Sequence, residues 1–272
     1  MTKETFLGFG LGLRHPHYQE IIDTKPNVDW FEIISENYIN SHQGYWDYLS
    51  DLRQDYPIIM HGVSLSIGSI DKLDQNYLQR LKKLADYLEA PWVSDHLCYT
   101  AMHNNNTHDL LPIPYTEEAL AHIIPRIHKI QDTLQRSFVF ENASSYLEFG
   151  GSTISEPEFL NELCSKTGCK ILLDINNVYV SSFNHNWDPY RYIDTILSDF
   201  IIQYHLAGFT HKKTHIIDTH DNHIADPVLD LFDYTLKTKG LYSAMVEWDD
   251  NIPDFPILLE ELNKIRHRVK NL

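Results

Sequence analysis

A chain of 272 residues with 43% apolar and 22% charged side chains can bury a sizeable core, as one large domain or two small ones. Its 22 basic and 38 acidic residues leave a formal charge of −16 with histidine neutral, which argues against a nucleic-acid backbone as the main ligand. Cys98, Cys164 and Cys169 are odd in number and form no CxxC pair, so a reducing cytoplasm is expected rather than a disulfide framework. The opening MTKETFLGFG lacks the features of a secretory signal, and no apolar run approaches the ~18 residues of a membrane span.

Short apolar runs alternate with helix-period segments along the whole chain. The first run is Phe6–Leu13, before a short helical piece near Tyr18–Thr24. The second, Trp30–Ile34, ends in SENY, and a helix around Tyr45–Asp55 leads to the third, Pro57–Leu65. Gln75–Glu89 carries Leu78, Leu81, Leu84, Ala85 and Leu88 at helical spacing and feeds the fourth run, Trp92–Tyr99. A helix over Thr116–Thr133 precedes the fifth, Phe138–Asn142. Then come a helix near Glu156–Thr167, a sixth run Lys170–Ile175 and a helix near Pro189–Ser198. The seventh run is Ile201–Leu206, followed by a histidine-rich loop and a helix near Pro227–Lys239. The eighth, Leu241–Trp248, leads to a terminal helix near Pro256–Arg268. Eight strand–helix alternations without a linker predict one (β/α)8 TIM barrel over residues 1–272. A doubly wound open sheet is the alternative, but GFGLGL lacks the spacing of a dinucleotide fingerprint.

What ends each run points to chemistry. Glu36 and Asn37 follow the second, and His61 ends the third. Asp95 and His96 lie in the fourth, and Glu141 and Asn142 end the fifth. Asp174, Asn176 and Asn177 close the sixth, His205 lies in the seventh, and Asp218 and His220 sit on its loop. Glu247 and Asp249 close the eighth. In a parallel barrel all these ends open on one face, where active sites of this fold lie. Each residue alone reads as a satisfied core or rim group. Several buried carboxylates together cost several kcal/mol each unless a cation offsets them, so metal binding explains the set. Imidazoles and carboxylates without a thiolate suit iron, manganese or zinc, and eight ligands are enough for two or three ions. His15-Pro-His17 is an H-x-H that reads as a proline-set loop rather than a ligand pair. Arg14 beside it suits either a substrate carboxylate or a rim salt bridge. Arg14, His17, Glu36 and Asn37 are expected to line the substrate space. Cys98 reads as packing, and His211, His215 and His223 as loop or rim residues.

The motifs GFGLGLRHPHY, FEIISENY, MHGVSLSIGS, VSDHLCY, FENASSY, LLDINNVYVSSFNH, QYHLAGF, DTHDNH and MVEWDDNIP occur in order between Gly8 and Pro253. Together they resemble the multinuclear non-heme iron-dependent oxidative enzymes, a family that includes the iron subunit of methanobactin biosynthesis. The resemblance implies a TIM barrel like those of xylose isomerase and endonuclease IV. It implies iron, as two or three ions of mixed Fe(II)/Fe(III) state, held by His61, His96, Glu141, Asp174, His205, Asp218, His220 and Glu247. Asn177 is a less certain ligand or neighbour, and Asp95, Asn142 and Asn176 would orient the others. It further implies dioxygen as cosubstrate and a ribosomally made precursor peptide as substrate, modified at cysteine to an oxazolone/thioamide or thiooxazole type of product. A separate partner protein would present the peptide. The residues alone leave open a divalent-metal hydrolase or isomerase, and a noncatalytic metal-binding protein.

Overall fold

The computed structural model describes residues 6–103 and 105–271. Eight parallel strands form its centre: β1 (Phe9–Gly12), β2 (Trp30–Ile34), β3 (Ile58–Gly62), β4 (Trp92–His96), β5 (Ser137–Glu141), β6 (Lys170–Asp174), β7 (Ile201–Leu206) and β8 (Ser243–Val246). Each pairs with its successor, and β8 pairs with β1, so the sheet closes and the open doubly wound alternative is excluded. Around it lie α1 (Tyr18–Thr24), α2 (Gln43–Arg53), α3 (Gln75–Leu88), α4 (Glu117–Leu134), α5 (Glu156–Thr167), α6 (Ile175–His185), α7 (Pro189–Thr195), α8 (Asp226–Lys239) and α9 (Phe255–Lys270). The apolar stripe of α3 (Leu78, Leu81, Leu84, Ala85, Leu88) is buried, as its spacing requires, at about 1.5–3 kcal/mol per leucine. Among the described residues, no helix is long and apolar enough to cross a membrane.

The barrel interior is layered by the two-residue period of a strand. Trp30, Ile59, Trp92, Val139, Leu172, Ile202 and Met245 form a separate apolar cluster low in the barrel. A Cβ on Gly10 would lie 2.4 Å from the Trp30 ring, so β1 yields its interior space to that indole. Two residues further along six of the strands stand Glu32, His61, Ser94, Glu141, Asp174 and Glu247, all buried. The apolar layer seals the floor, and the next inward position presents a polar group towards the mouth.

Three differences from the sequence reading bear on the site. The fourth run ends at His96, and Tyr99–Met102 turns back as an antiparallel hairpin with Asn105–Leu111. The sixth run stops at Asp174 because that residue caps a helix at once. Its Oδ1 accepts the Asn177 N–H at 2.6 Å and starts α6, which the strand reading omitted. The loop after β7 holds a second hairpin, Phe209–His211 with Ile216–Asp218.

At the start of α5, Ser155 and Glu158 form a capping box, and the adjacent Glu156 is buried without an ion-pair partner among the described residues. Burial raises its carboxyl from 4.5 to about 7, against the opposing influence of the Tyr115 and Tyr192 hydroxyls. Both states are protonated below pH 4.5, and the unfolded chain ionises first as pH rises. The stability this group contributes therefore falls by up to about 3 kcal/mol as pH rises through about 7. Denaturant melts across this range should show that loss in the wild type relative to Glu156→Gln; parallel curves would contradict the assignment.

Candidate metal centre

Eight side chains from β3, β4, β5, β6, β7, the loop after β7 and the end of β8 converge at the barrel mouth. The ligand atoms fall into three groups: His61, His96 and Glu141; Glu141, Asp174, His205 and Glu247; and His220, Glu247 and Asp249. Within each group the ligand atoms lie within 4.8 Å of one another. Glu141 belongs to the first two groups and Glu247 to the last two, so the three form a chain with shared carboxylates.

Hydrogen bonds orient the first group. His61 Nδ1 lies 2.8 Å from Ser94 Oγ, which itself donates to the Met60 carbonyl. The His61 proton thus belongs on Nδ1. His96 Nδ1 faces the Gly62 carbonyl at 3.3 Å, which can only accept, so its proton also belongs on Nδ1. Both Nε2 lone pairs then point at one oxygen, Glu141 Oε2, each at 3.3 Å. Burial holds both imidazoles neutral, pushing His61 well down and His96 down to about 4. Burial also raises Glu141 well above the usual carboxylate range. With both ring protons on Nδ1, two imidazole lone pairs face a carboxyl whose affinity for a proton is raised, and a cation at that point would satisfy all three groups.

The second group is oriented from below. His205 Nε2 contacts Glu32 Oε1 at 3.0 Å, Glu32 Oε2 accepts from Gln203 at 2.7 Å, and Gln203 Oε1 accepts from the Trp92 indole at 2.8 Å. This chain turns His205 Nδ1 toward Glu247 (3.0 Å), Glu141 (3.8 Å) and Asp174 (4.0 Å). Burial opposes charge on His205, but Glu32 and Glu247 outweigh it and raise the imidazole well above its ordinary value. Burial lifts Asp174 to about 7. Its Oδ1 is committed to capping α6, which leaves Oδ2 to the cluster.

In the third group His220 has a positive φ of 46° and is held by Gly208 O and by the Asp249 amide. A Cβ at Gly208 would fall 2.3 Å from the Asn222 carbonyl, so glycine is what lets this loop fold onto the mouth. His220 Nδ1 lies 3.3 Å from Glu247 and 3.1 Å from Asp249, and Nε2 lies 2.6 Å from Asp218. Despite burial, Asp218 and Glu247 raise His220 well above its ordinary value. Conversely, His205 and His220 overcome burial to hold Glu247 well below the carboxylate range.

The residues present fit metal ions. Glu141 Oε2 and Asp174 Oδ2 are buried without a hydrogen-bond donor, and His205 Nδ1 and His220 Nε2 are buried against carboxylate oxygens of Glu247 and Asp218. The donors are imidazole nitrogens and carboxylate oxygens, a set suited to iron, manganese or zinc. A cavity of 200 Å³ opens over them, lined in part by Ile34, Val63, Leu110 and Thr219.

The remaining sequence-derived residues surround this centre in distinct roles. Asn177 donates to Glu141 Oε1 at 3.3 Å and lines the cavity, with its own Oδ1 unpartnered. Asn176 donates to Asp218 at 2.6 Å. Asn142 spends both amide atoms on the Asp174 backbone, tying β5 to β6. Asp95 accepts from the Ser64, Leu65 and His96 amides, and so braces the β3 and β4 ends rather than joining the ligand groups. Arg14 pairs with Asp249 and donates to the Trp248 carbonyl, which is its rim salt-bridge alternative. His17 packs its ring on Phe255, Glu36 accepts from Tyr77 and Val63, and Asn37 is exposed. None of Arg14, His17, Glu36 and Asn37 lines the cavity over the ligands. Cys98 is buried, and His223 is bound to Glu261. The sequence reading passed over Glu32, Ser94 and Gln203 and kept Asp249 out of the site. A charged residue at the inward centre of WFEII was the available signal for Glu32.

A closed barrel whose mouth gathers imidazoles and shared carboxylates defines a metal-centred TIM-barrel protein. The comparisons with known proteins name the family: the chain belongs to the RiPP precursor modification enzymes MbnB/TglH/ChrH, whose family model matches residues 8–270. Such enzymes modify ribosomally made precursor peptides. Among its relatives are a UPF0276 protein of Caulobacter vibrioides, 46% identical over 98% of this chain and 96% of the relative, and one of Psychromonas ingrahamii, 43% identical over 94% and 92%. Solved structures of similar fold include endonuclease IV from Thermus thermophilus (TM-score 0.63, 15% identity, 97% of this chain and 100% of that one). Another is a xylose isomerase domain protein from Planctomyces limnophilus (0.63, 10%, 99% and 100%). At these identities the likeness establishes a xylose-isomerase-like barrel and nothing about chemistry.

Stripping the protein with a chelator and reloading it should raise its melting temperature, since a ligand at 100 times its Kd adds about 2.7 kcal/mol. Glu32→Gln should weaken metal retention about 10–100-fold, because it removes the charge that orients His205. Equilibrium dialysis against a chelator checks this, and wild-type retention would remove Glu32 from that role.

Proposed function

We propose that this protein is an iron- and dioxygen-dependent oxidative enzyme that modifies a ribosomally made precursor peptide at cysteine. The observation that carries the proposal is the approach of two neutral imidazoles to one donor-free carboxylate oxygen, continued through shared Glu141 and Glu247 into three ligand groups. Such sharing suits more than one ion, and in this proposal these are two or three irons in mixed Fe(II)/Fe(III) state. Family membership supports a peptide substrate. Iron, when bound, supplies one-electron redox chemistry toward dioxygen and a position for a peptide thiolate.

The ligands in this proposal are His61, His96, Glu141, Asp174, His205, Asp218, His220 and Glu247, joined by Asp249. The chain's other residues prepare the place. Ser94 and the Gly62 carbonyl fix the tautomers of His61 and His96, and Glu32 fixes the direction of His205. Asn177 steadies Glu141, and Asn176 and Tyr146 steady Asp218. Ile34, Val63 and Leu110 narrow the mouth and limit water around the reacting thiol. The oxidised product would be of the oxazolone/thioamide or thiooxazole type, with dioxygen as the electron acceptor. A separate protein that presents the peptide, and a cytoplasmic setting, complete the proposal.

Anaerobic loading followed by elemental analysis and Mössbauer spectroscopy should find more than one iron per chain. Glu141→Ala, which removes a member shared by two groups, should lose more metal than His220→Ala and abolish peptide-dependent oxygen uptake. Protein that holds only zinc or manganese and consumes no oxygen with peptide would refute the oxidative chemistry. Full iron and turnover in both His61→Ala and Glu141→Ala would refute the site.

A further inference from the structure

A second and larger cavity, of 720 Å³, lies beside the metal centre between the loop after β5, the start of α5 and the start of α7. One loop serves both spaces. Its Ser145 lines the larger cavity and ties to Ser181 of α6, while the hydroxyl of the next residue, Tyr146, accepts the amide of Asp218 at the metal mouth. The lining is acidic: Glu148, Glu156, Glu158 and Asp188 against one arginine, Arg191. Glu158 is used in the α5 capping box, and Asp188 caps α7. Glu156 has no such task and no ion-pair partner among the described residues, yet it is 6% exposed and lines the space. Beside it Tyr192 is buried and also lines the cavity. The groups of the chain that act on Glu156 are the neutral Tyr115 and Tyr192 hydroxyls. Its carboxyl at the cavity wall thus has hydrogen-bonding neighbours but no charge partner among the described residues, and a cationic donor entering the cavity would supply one.

The apolar part of the wall determines what carries that donor. Leu147 is 67% exposed and Phe149 40% exposed on the same loop, and Trp187 stands opposite on the segment that leads into α7. A volume of 720 Å³ is larger than a simple amine needs and accommodates several side chains of an extended segment. From this geometry, and resting on the peptide-modifying reading above, we propose that the cavity is a docking subsite for the precursor peptide. It receives a lysine or arginine side chain against Glu156 and Tyr192, with a neighbouring apolar residue on Leu147 and Phe149. The segment anchored there lies along the loop that also holds Asp218, so the site positions the peptide without taking part in its oxidation.

The test uses the full chain, metal-loaded, immobilised and panned with a phage-displayed library of random linear peptides. Recovered peptides are then measured in solution by fluorescence anisotropy. Peptides selected on the wild type should carry a basic residue at a fixed position beside an apolar one. Their affinity should fall about tenfold on Glu156→Gln, and equally when that basic residue is replaced by norleucine, as expected for loss of a charge-assisted hydrogen bond. Metal content should be unchanged in the variant. Leu147→Ser, on a side chain exposed enough to leave folding intact, should weaken the same peptides several-fold. Binders without basic preference, binding indifferent to Glu156 and Leu147, or no binders at all would overturn the subsite. The readout involves neither oxygen nor peptide oxidation. Loss of the subsite alongside intact oxygen-dependent turnover would leave the proposed function standing, and Glu156-dependent binding without turnover would do the reverse.

Discussion

The structure depends on one electrostatic problem: Glu141, buried at the end of a central strand, faces two imidazole lone pairs and has no proton donor for Oε2. Removing a carboxylate from water costs several kcal/mol unless something positive replaces the lost hydration. No lysine or arginine among the described ion pairs reaches Glu141; Arg14 stops at Asp249. The neighbours that do approach it are His205 and, through Glu247, His220, both already engaged by other carboxylates. The mouth is suited to cations, and the rest of the barrel fixes the positions of the candidate ligands.

That holding is achieved with ordinary structural devices. Strand alternation puts a sealing apolar side chain two residues before nearly every polar one, so the centre sits on a dry floor of Trp30, Trp92 and their neighbours. Helix capping gives Asp174 a second task and fixes which of its oxygens is free. The Trp92–Gln203–Glu32–His205 chain reaches from that floor to the ligand layer, so an interior packing residue sets the angle of a metal-facing imidazole. Stability and site geometry are therefore difficult to separate here: a substitution at Trp92 would disturb both.

The outer ring adds the features that separate this chain from a generic barrel. The hairpin after β4 brings Leu110 over the mouth, and the hairpin after β7 brings Asp218. The loop after β5 stands between the metal cavity and the acidic cleft. In barrels of this kind chemistry and specificity come from the loops at the strand ends, while the strands keep the floor. The likeness to the isomerase and endonuclease barrels at 10–15% identity is a likeness of that strand framework alone.

Much was legible in the residues. Eight apolar runs of strand length, each followed by a helical period, determine a parallel α/β fold because a buried parallel strand must be apolar on both faces and needs a helical crossover, while the pairing of β8 with β1 decides for the barrel over an open sheet. Polar residues interrupting those runs at their C-terminal ends, as in MHG, VSDH, FEN, LLD and YHL, marked His61, His96, Glu141, Asp174 and His205 as partners. Strand direction alone sends all those ends to one face. What only the tertiary structure decided was division of labour among equals. Asp95 and Asp174 look alike at the ends of their strands, but three backbone amides claim the first, and one oxygen of the second remains free. Arg14 and Glu36 looked like groups for a substrate and are occupied by Asp249, Tyr77 and Val63. Glu32 looked like an interruption of its strand and proved to orient His205. A side chain's chemical type and periodicity are local properties that a sequence carries. Whether its last lone pair is free depends on atoms far along the chain, 171 positions away in the case of Gln203 and Glu32, and only the closed fold brings those together.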